Sequence, residues 1–153
     1  MAEKGAYTLD AVVQQVESWK AQGLKVVFTN GVFDVLHVGH VEVLEVAAAH
    51  CQKLVVGVNS DASVRRLGKG PDRPIYEEGN RARVLAALRS VDAVVVFGDD
   101  TPLALVNRLQ PDVVKGLVLI PLLEEARHLI HREGDARLSS KLDHALTSSV
   151  GVR

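Results

Sequence analysis

The stretch at residues 29–40 restricts the possible folds of this chain more than any other feature. The apolar residues 26–28 lead into Thr-Asn-Gly-Val-Phe-Asp-Val-Leu-His-Val-Gly-His, and a helical pattern follows from near Val41. This order predicts a strand, a glycine-containing loop and a helix N-terminus. A helix N-terminus presents unpaired N–H groups and the positive end of the helix dipole, so it suits phosphate.

Two histidines in this stretch are candidate phosphate ligands. His37 and His40 are three residues apart, so they lie on one face if the helix begins there. Each can donate a hydrogen bond to a phosphate oxygen and can carry charge near neutral pH. Gly39 lies between them and lets a ligand approach the backbone closely. The alternative is a chance pair on a strand-to-helix turn, with one histidine capping the helix and the other exposed.

The flanking sequence predicts an α/β fold. Thr8 can cap a helix over residues 9–22, residues 25–28 form the first strand, and residues 41–50 form a helix. Residues 54–58 are continuously apolar, as expected of a strand that is buried on both faces. Strand, helix and strand in this order predict parallel strands joined by a right-handed crossover. We therefore expect a Rossmann-like three-layer α/β/α architecture with a parallel sheet, and a frayed start before Thr8.

The second half continues the alternation of helices and strands. An amphipathic pattern predicts a helix over residues 77–89, with Val84 among the residues that face inward. Residues 93–97 predict another buried strand. A further helix is expected over residues 102–109, with Thr101 as its N-cap and proline at its first position.

Composition limits the partners. The 153 residues suffice for one domain with a real core, and 47% apolar with 24% charged residues is ordinary for a globular protein. A net charge of -1 gives no signal for binding nucleic acid. We see no signal peptide and no apolar run that could span a membrane, so we expect a cytoplasmic protein without a membrane partner.

A cationic loop follows the second strand of the predicted unit. Residues 59–75 begin at the carboxyl end of that strand, the edge where open α/β sheets bind ligands. Four cations fall within nine residues and are interrupted by glycines: Arg65, Arg66, Lys69 and Arg73. They could form a solvated basic loop, but beside a phosphate site we favour a loop that closes over anionic substrates.

The motifs resemble a known enzyme superfamily. Residues 29–40 resemble the nucleotidyltransferase signature, in which His-x-Gly-His holds the phosphates of a nucleoside triphosphate. The Gly-x-Phe-Asp-x-x-His pattern of residues 31–37 is similar to the cytidylyltransferase-like branch. Asn-Ser-Asp-Ala-Ser-Val-Arg at 59–65, Leu-Gly-Lys-Gly at 67–70 and Arg-Pro-Ile at 73–75 resemble the bacterial heptose-1-phosphate adenylyltransferases, the adenylyltransferase half of bifunctional ADP-heptose synthases.

The resemblance implies a single nucleotidyltransferase domain over residues 1–153 with the nucleotidyltransferase fold. It implies transfer of AMP from ATP to a heptose 1-phosphate, which gives ADP-heptose, a lipopolysaccharide core precursor, and pyrophosphate. Mg²⁺ would accompany ATP, held mainly by phosphate oxygens and water, because no dedicated carboxylate cage is visible. The partners are then ATP and a sugar 1-phosphate, and a homo-oligomer is expected because relatives are often dimers or larger.

The resemblance also assigns residues to roles. The expected catalytic residues are His37, His40 and Lys69. Nucleotide contacts are expected from Thr29, Asn30, Gly31, Val32, Phe33, Gly39, His40, Arg81 and Lys115. Substrate contacts are expected from Asp34, Asn59, Asp61, Lys69 and Arg73. The role of Asp34 is open between helping the metal or sugar and bonding loop amides.

The chain departs from the family pattern at Gly116. There the sequence runs straight into an apolar segment, residues 117–121, where the family has a loop and a helix. Two parallel strands need a crossover of about a dozen residues or more. Residues 113–120 are therefore one long strand, an unusual antiparallel turn, or a place where the sequence skips a segment, and we favour the last.

A second departure follows at residues 124–127, which read Glu-Glu-Ala-Arg where the family has a Ser-Thr-Thr type motif. Carboxylates there would repel phosphate. Residues 122–132 predict a helix, and the polar residues 134–153 are expected to be poorly ordered or to contact a neighbour through Leu138, Leu142 and Leu146. Two alternative functions stay open: a cytidylyltransferase for glycerol-3-phosphate or a related alcohol phosphate, and a nucleotide-binding protein without turnover.

Overall fold

A five-stranded parallel sheet forms the centre of the protein, whose computed structural model describes residues 6–115. The strands, in the sheet order β1-β4-β3-β2-β5, are numbered along the chain as β1 Ala6–Tyr7, β2 Val26–Gly31, β3 Lys53–Asn59, β4 Ala93–Phe97 and β5 Val113–Lys115. The helices are α1 Leu9–Ala21, α2 Val38–Ala48, α3 Asp61–Arg66, α4 Glu78–Ala86 and α5 Leu103–Leu109.

Helices cover both faces of this sheet. Along β2, Val26 and Phe28 pack against one cluster of buried side chains, while Val27 packs against another on the opposite face. This alternation follows from the pleat of the strand, which directs successive side chains to opposite faces. The first cluster contains buried residues of α1 and α5, and the second contains those of α2 and α4. The predicted three-layer α/β/α architecture with a parallel sheet is confirmed.

Strand β2 is longer than the sequence pattern predicts. It continues past Phe28 to Gly31, because the polar residues 29–31 still pair in parallel register with residues 56–58 of β3. Thr29 also pairs with Lys115 on the other side. The polar start of the motif therefore lies on a sheet strand, and the loop that leads to α2 begins only after Gly31.

Helix α2 follows that loop directly, and its first residue is Val38. The sequence pattern predicts a later start, near Val41. Because the helix begins earlier, both histidines lie within one turn of its N-terminus. The chain crosses from β2 to β3 on one side, whereas β5 lies on the other side of β2. Such a switch of direction opens a crevice at the carboxyl ends of the strands, where open α/β sheets bind ligands.

Several predicted boundaries are wrong. Ala6–Tyr7 forms a short strand against β4 rather than a frayed start. Val84 is 50% exposed, because α4 buries the stripe that contains Ala82 and Leu85 instead. Helix α5 begins at Leu103 with proline as its N-cap residue. The predicted helix over 122–132, the junction at 116 and the tail 134–153 lie outside the described residues.

The packing of Gly57 generates a stability prediction. A Cβ atom at this position of β3 would lie 2.8 Å from Cζ of the fully buried Phe28 and 3.3 Å from a methyl carbon of Leu105. Gly57→Ala should lower the free energy of unfolding by about 1–3 kcal/mol, since the core has to shift to admit a methyl group. Urea denaturation measures this change.

Gly79 supplies the matched control for that substitution. It lies in α4, and a Cβ atom there would meet nothing within 4 Å. Gly79→Ala should raise stability by about 0.4–1 kcal/mol, because alanine restricts the unfolded chain. Equal effects of the two substitutions would contradict the packing described for Gly57.

Candidate active site

A cavity of about 430 Å³ opens at the carboxyl end of β2. It is lined by Thr29, Asn30, Gly31, Val32, Phe33, Asp34, His40, Val43, Val64, Lys69 and Arg73. The sequence predicts a ligand contact for all of these residues except Val43 and Val64. The structure thus brings most of the predicted nucleotide and substrate residues to a single cavity.

The two histidines are held by the start of α2. His37 is the N-cap residue, and its Nδ1 accepts a hydrogen bond from the backbone N–H of Gly39 at 3.0 Å. The backbone N–H of His37 in turn donates to Nδ1 of His40 at 3.2 Å. Because both Nδ1 atoms are acceptors, each neutral ring carries its proton on Nε2. The pair therefore offers two Nε2–H donors to a ligand.

Close packing fixes the orientation of these rings. The centroids of the His37 and His40 rings are 3.9 Å apart, and Phe33 meets His40 edge-on at 5.5 Å. Gly39 is needed at its position, because a Cβ there would lie 2.9 Å from Cε1 of His37. Burial lowers the pKa of His40, and the charges of His37 and Lys69 lower it further. His40 therefore favours the neutral form, which donates through Nε2.

The loop between β2 and α2 has an unusual backbone. Phe33 and Val35 adopt left-handed conformations, with φ of 51° and 57°. This region is rare for residues with a side chain and is especially unfavourable for a β-branched one. Such conformations persist only where surrounding contacts hold them. Asp34, which lies between these two residues, supplies those contacts.

Asp34 bonds the amides of the segment that follows the cationic loop. Its carboxylate accepts hydrogen bonds from the backbone N–H groups of Ile75 at 2.8 Å and Tyr76 at 3.0 Å, and it pairs with Arg73 at 2.9 Å. Burial acts to raise the pKa of Asp34, but these bonds and the charge of Arg73 outweigh it and hold the pKa below its usual range. Of the roles left open for Asp34, bonding of loop amides is the one that these contacts show.

Three of the four cations of the loop differ in what they contact. Arg66 pairs with Asp100 at 2.6 Å and donates to the carbonyl of Gly98, so it anchors the loop to the end of β4. Arg73 is paired with Asp34. Lys69 lines the cavity and has no hydrogen bond or ion pair with any residue in 6–115. Lys69 is therefore the loop cation best placed to meet an anionic ligand.

Three predicted ligand residues do not line the cavity. Arg81 is only 2% exposed, and its guanidinium donates to protein oxygens, which include a carboxylate oxygen of Asp61 at 2.7 Å. The buried Asn59 donates from Nδ2 to the hydroxyl of Ser63 at 3.0 Å. These contacts favour structural roles for Arg81, Asp61 and Asn59, and their predicted contact with a ligand stays a prediction.

Lys115 is the remaining predicted nucleotide residue. It ends β5 and pairs with Thr29 of β2, so it lies at the same sheet edge as the cavity without lining it. Sequence reasoning missed Val43 and Val64, both of which line the cavity. The spacing could have indicated Val43, because it follows His40 by three residues on the same helix.

Comparison with known proteins identifies the family. Residues 28–135 match the family described as cytidylyltransferase-like. The chain belongs to the cytidylyltransferase-like family.

Among curated relatives, it is 58% identical over 113 residues to the "Bifunctional protein HldE" of Hyphomonas neptunium, covering 73% of this chain and 23% of that protein. The protein of the same name from Mesorhizobium japonicum is 60% identical over 111 residues, covering 71% of this chain and 22% of that protein. The chain thus spans under a quarter of the length of these relatives.

A solved structure of this family fold agrees with the architecture. The lipopolysaccharide core biosynthesis protein from Thermoplasma volcanium GSS1 is 32% identical, with a TM-score of 0.56, over 60% of this chain and 73% of that one. Within residues 6–115, no helix of this protein is long and apolar enough to cross a membrane.

The environment of His40 predicts its titration. Its lowered pKa means that the ring stays neutral as the pH falls to the usual histidine value of about 6.5 and takes up its proton only below it. The unfolded chain takes up this proton first, so the free energy of unfolding falls as the pH falls through that range. NMR titration of the His40 ring protons should give a midpoint below the usual histidine value of about 6.5. A midpoint at or above that value would contradict the described packing.

Proposed function

We propose that this protein is a nucleotidyltransferase that transfers AMP from ATP to a heptose 1-phosphate, giving ADP-heptose and pyrophosphate. The observation that carries the proposal is that the Nε2–H donor of His40 and Lys69, which has no ion pair within residues 6–115, share one cavity at the carboxyl end of β2, with the His37 ring packed beside His40. The identity to the two HldE proteins and the likeness to a lipopolysaccharide core biosynthesis protein support the choice of substrate. A reaction that consumes ATP fits the cytoplasm, which is the location we propose.

The proposed reaction needs no strong general base. An oxygen of the sugar phosphate, already anionic, attacks the α-phosphorus of ATP. A new P–O bond forms, the bond from the α-phosphorus to the bridging oxygen of the β-phosphate breaks, and pyrophosphate leaves with that electron pair. Catalysis of such a step rests on positioning and on stabilising charge in the transition state.

Residues in and beside the cavity divide these tasks. His37 and His40 donate from Nε2 to phosphate oxygens of ATP, and the backbone of residues 30–33 lines the nucleotide. Lys69 carries a positive charge into the space between the phosphates of the two substrates. We propose that Mg²⁺ enters with the triphosphate, because within residues 6–115 no group of three or more histidine, cysteine or acidic side chains could hold it.

A second candidate function lies in the same family. The match to cytidylyltransferase-like proteins favours CTP and an alcohol phosphate such as glycerol-3-phosphate. Pyrophosphate release with ATP or CTP, each combined with heptose 1-phosphate or glycerol-3-phosphate, separates the candidates. Our proposal predicts turnover with the pair of ATP and heptose 1-phosphate. Tight ATP binding with no turnover in any combination would instead indicate a nucleotide-binding protein.

Removal of one imidazole tests the proposed donor role. His40→Ala should lower kcat for pyrophosphate release by about 100- to 1,000-fold, the usual cost of losing one preorganised donor to a transition state. His50→Ala is the matched control, because His50 is exposed beyond the end of α2 and outside the cavity. It should keep the activity of the unaltered protein. If His40→Ala retains its fold and full turnover, the phosphate role of His40 is wrong.

A further inference from the structure

Arg81 gathers contacts from four separate segments of the chain. Its guanidinium donates to the carbonyl oxygens of Val32 at 2.7 Å, Asn59 at 2.9 Å and Tyr76 at 2.9 Å, and to the carboxylate of Asp61 at 2.7 Å. These acceptors lie on the loop after β2, at the end of β3, after the cationic loop and at the start of α3. An arginine fork satisfies all four because it has five N–H donors in a fixed plane.

Two of these acceptors flank the segment that carries Lys69. Asp61 begins α3, and Tyr76 follows the loop, so Arg81 binds both ends of residues 61–76. Its bond to Val32 connects this segment to the loop that leads to the histidines. The guanidinium therefore fixes both ends of residues 61–76 relative to the loop that follows β2.

Asp34 connects the same two segments independently of Arg81. Its carboxylate accepts from the N–H of Tyr76, while Arg81 binds the carbonyl of Tyr76. The peptide groups on both sides of Tyr76 are thus held by side chains of two different segments.

We propose that Arg81 is a positioning residue, which sets the place of Lys69 relative to His37 and His40. This inference rests on the nucleotidyl transfer proposed above and adds a residue that acts on the reaction only through Lys69. Arg81 is buried and does not line the cavity, so its effect on the rate comes from geometry. A displacement of about 1 Å at a reacting centre can lower a rate about 100-fold.

Arg81→Lys tests the connection without turnover. Lysine keeps the charge and can retain the pair with Asp61, but its three donors on one nitrogen cannot replace the fork. Amide hydrogen exchange should become faster at Ile75 and Tyr76 than in the unaltered protein, while the amides of β3 stay protected. Arg83→Lys is the matched control, since Arg83 lies on the same helix and is exposed, and it should leave the exchange unchanged.

A double-mutant cycle tests the action through Lys69. Arg81→Lys should lower kcat by about 10- to 100-fold in the unaltered protein. In the Lys69→Ala background the same substitution should change kcat by no more than about twofold, because the group that it positions is gone. A merely structural role would give the same loss in both backgrounds. Where Arg81→Lys prevents folding, Asp34→Asn takes its place in both measurements.

The outcomes separate this inference from the proposed reaction. Unchanged exchange at Ile75 and Tyr76, or equal losses in the two backgrounds, would overturn the positioning role while turnover of the unaltered protein upholds nucleotidyl transfer. No turnover by the unaltered protein with any pair of substrates would overturn the proposed reaction and with it the effect on rate. Faster exchange in Arg81→Lys would then still support the connection between residues 61–76 and the loop after β2.

Discussion

The parallel pairing of β2 with a neighbour on each side is the interaction on which the site depends. Residues 26–31 pair with β3 over their whole length, and residues 27–29 also pair with β5. Pairing on both sides satisfies the backbone of β2 and buries its valines and Phe28 in two core clusters. The strand therefore ends at a fixed point, and the loop that follows it opens into the crevice where the chain changes direction.

Short-range contacts after the end of β2 hold the side chains of the site in place. The N-cap of α2 uses the histidines themselves, so the same imidazoles that complete the helix present Nε2–H outward. Gly39 makes this possible by leaving room for the His37 ring. Helix capping uses the Nδ1 edge of each ring and leaves the Nε2 edge available as a donor.

Charge is distributed unevenly across the cavity. Arg73 is neutralised by Asp34 and Arg66 by Asp100, whereas Lys69 lines the cavity without such a partner in residues 6–115. The paired cations fix the loop, and Lys69 is left to face the cavity. A loop rich in cations can in this way be anchored by ion pairs and still place a positive charge in the cavity.

The sequence was sufficient for features that local patterns control. Continuous apolar runs at residues 54–58 and 93–97 predicted buried parallel strands, and Thr8 was correctly expected to cap the first helix. The motif at 29–40 predicted most of the residues that line the cavity. Other features depend on contacts between distant segments, and the sequence could not show them. These are the short strand at Ala6–Tyr7, the exposure of Val84 and the burial of Arg81.

The role of Asp34 shows the same limit. Nothing near it in the sequence indicates that its carboxylate binds Arg73, Ile75 and Tyr76, which lie about forty positions further along the chain. Only folding brings the loop after β2 beside the segment that follows the cationic loop. The sequence can therefore indicate that such a residue belongs to the site. Its contacts with distant partners are visible only in the structure.

The most direct test of the central claim is the identity of the products. Phosphorus NMR of a mixture of the protein with ATP, Mg²⁺ and heptose 1-phosphate follows every phosphate at once. The account predicts that the ATP resonances are replaced by pyrophosphate and by the two coupled resonances of a nucleoside diphosphate sugar. Formation of ADP, or an unchanged spectrum, would contradict transfer of AMP at this site.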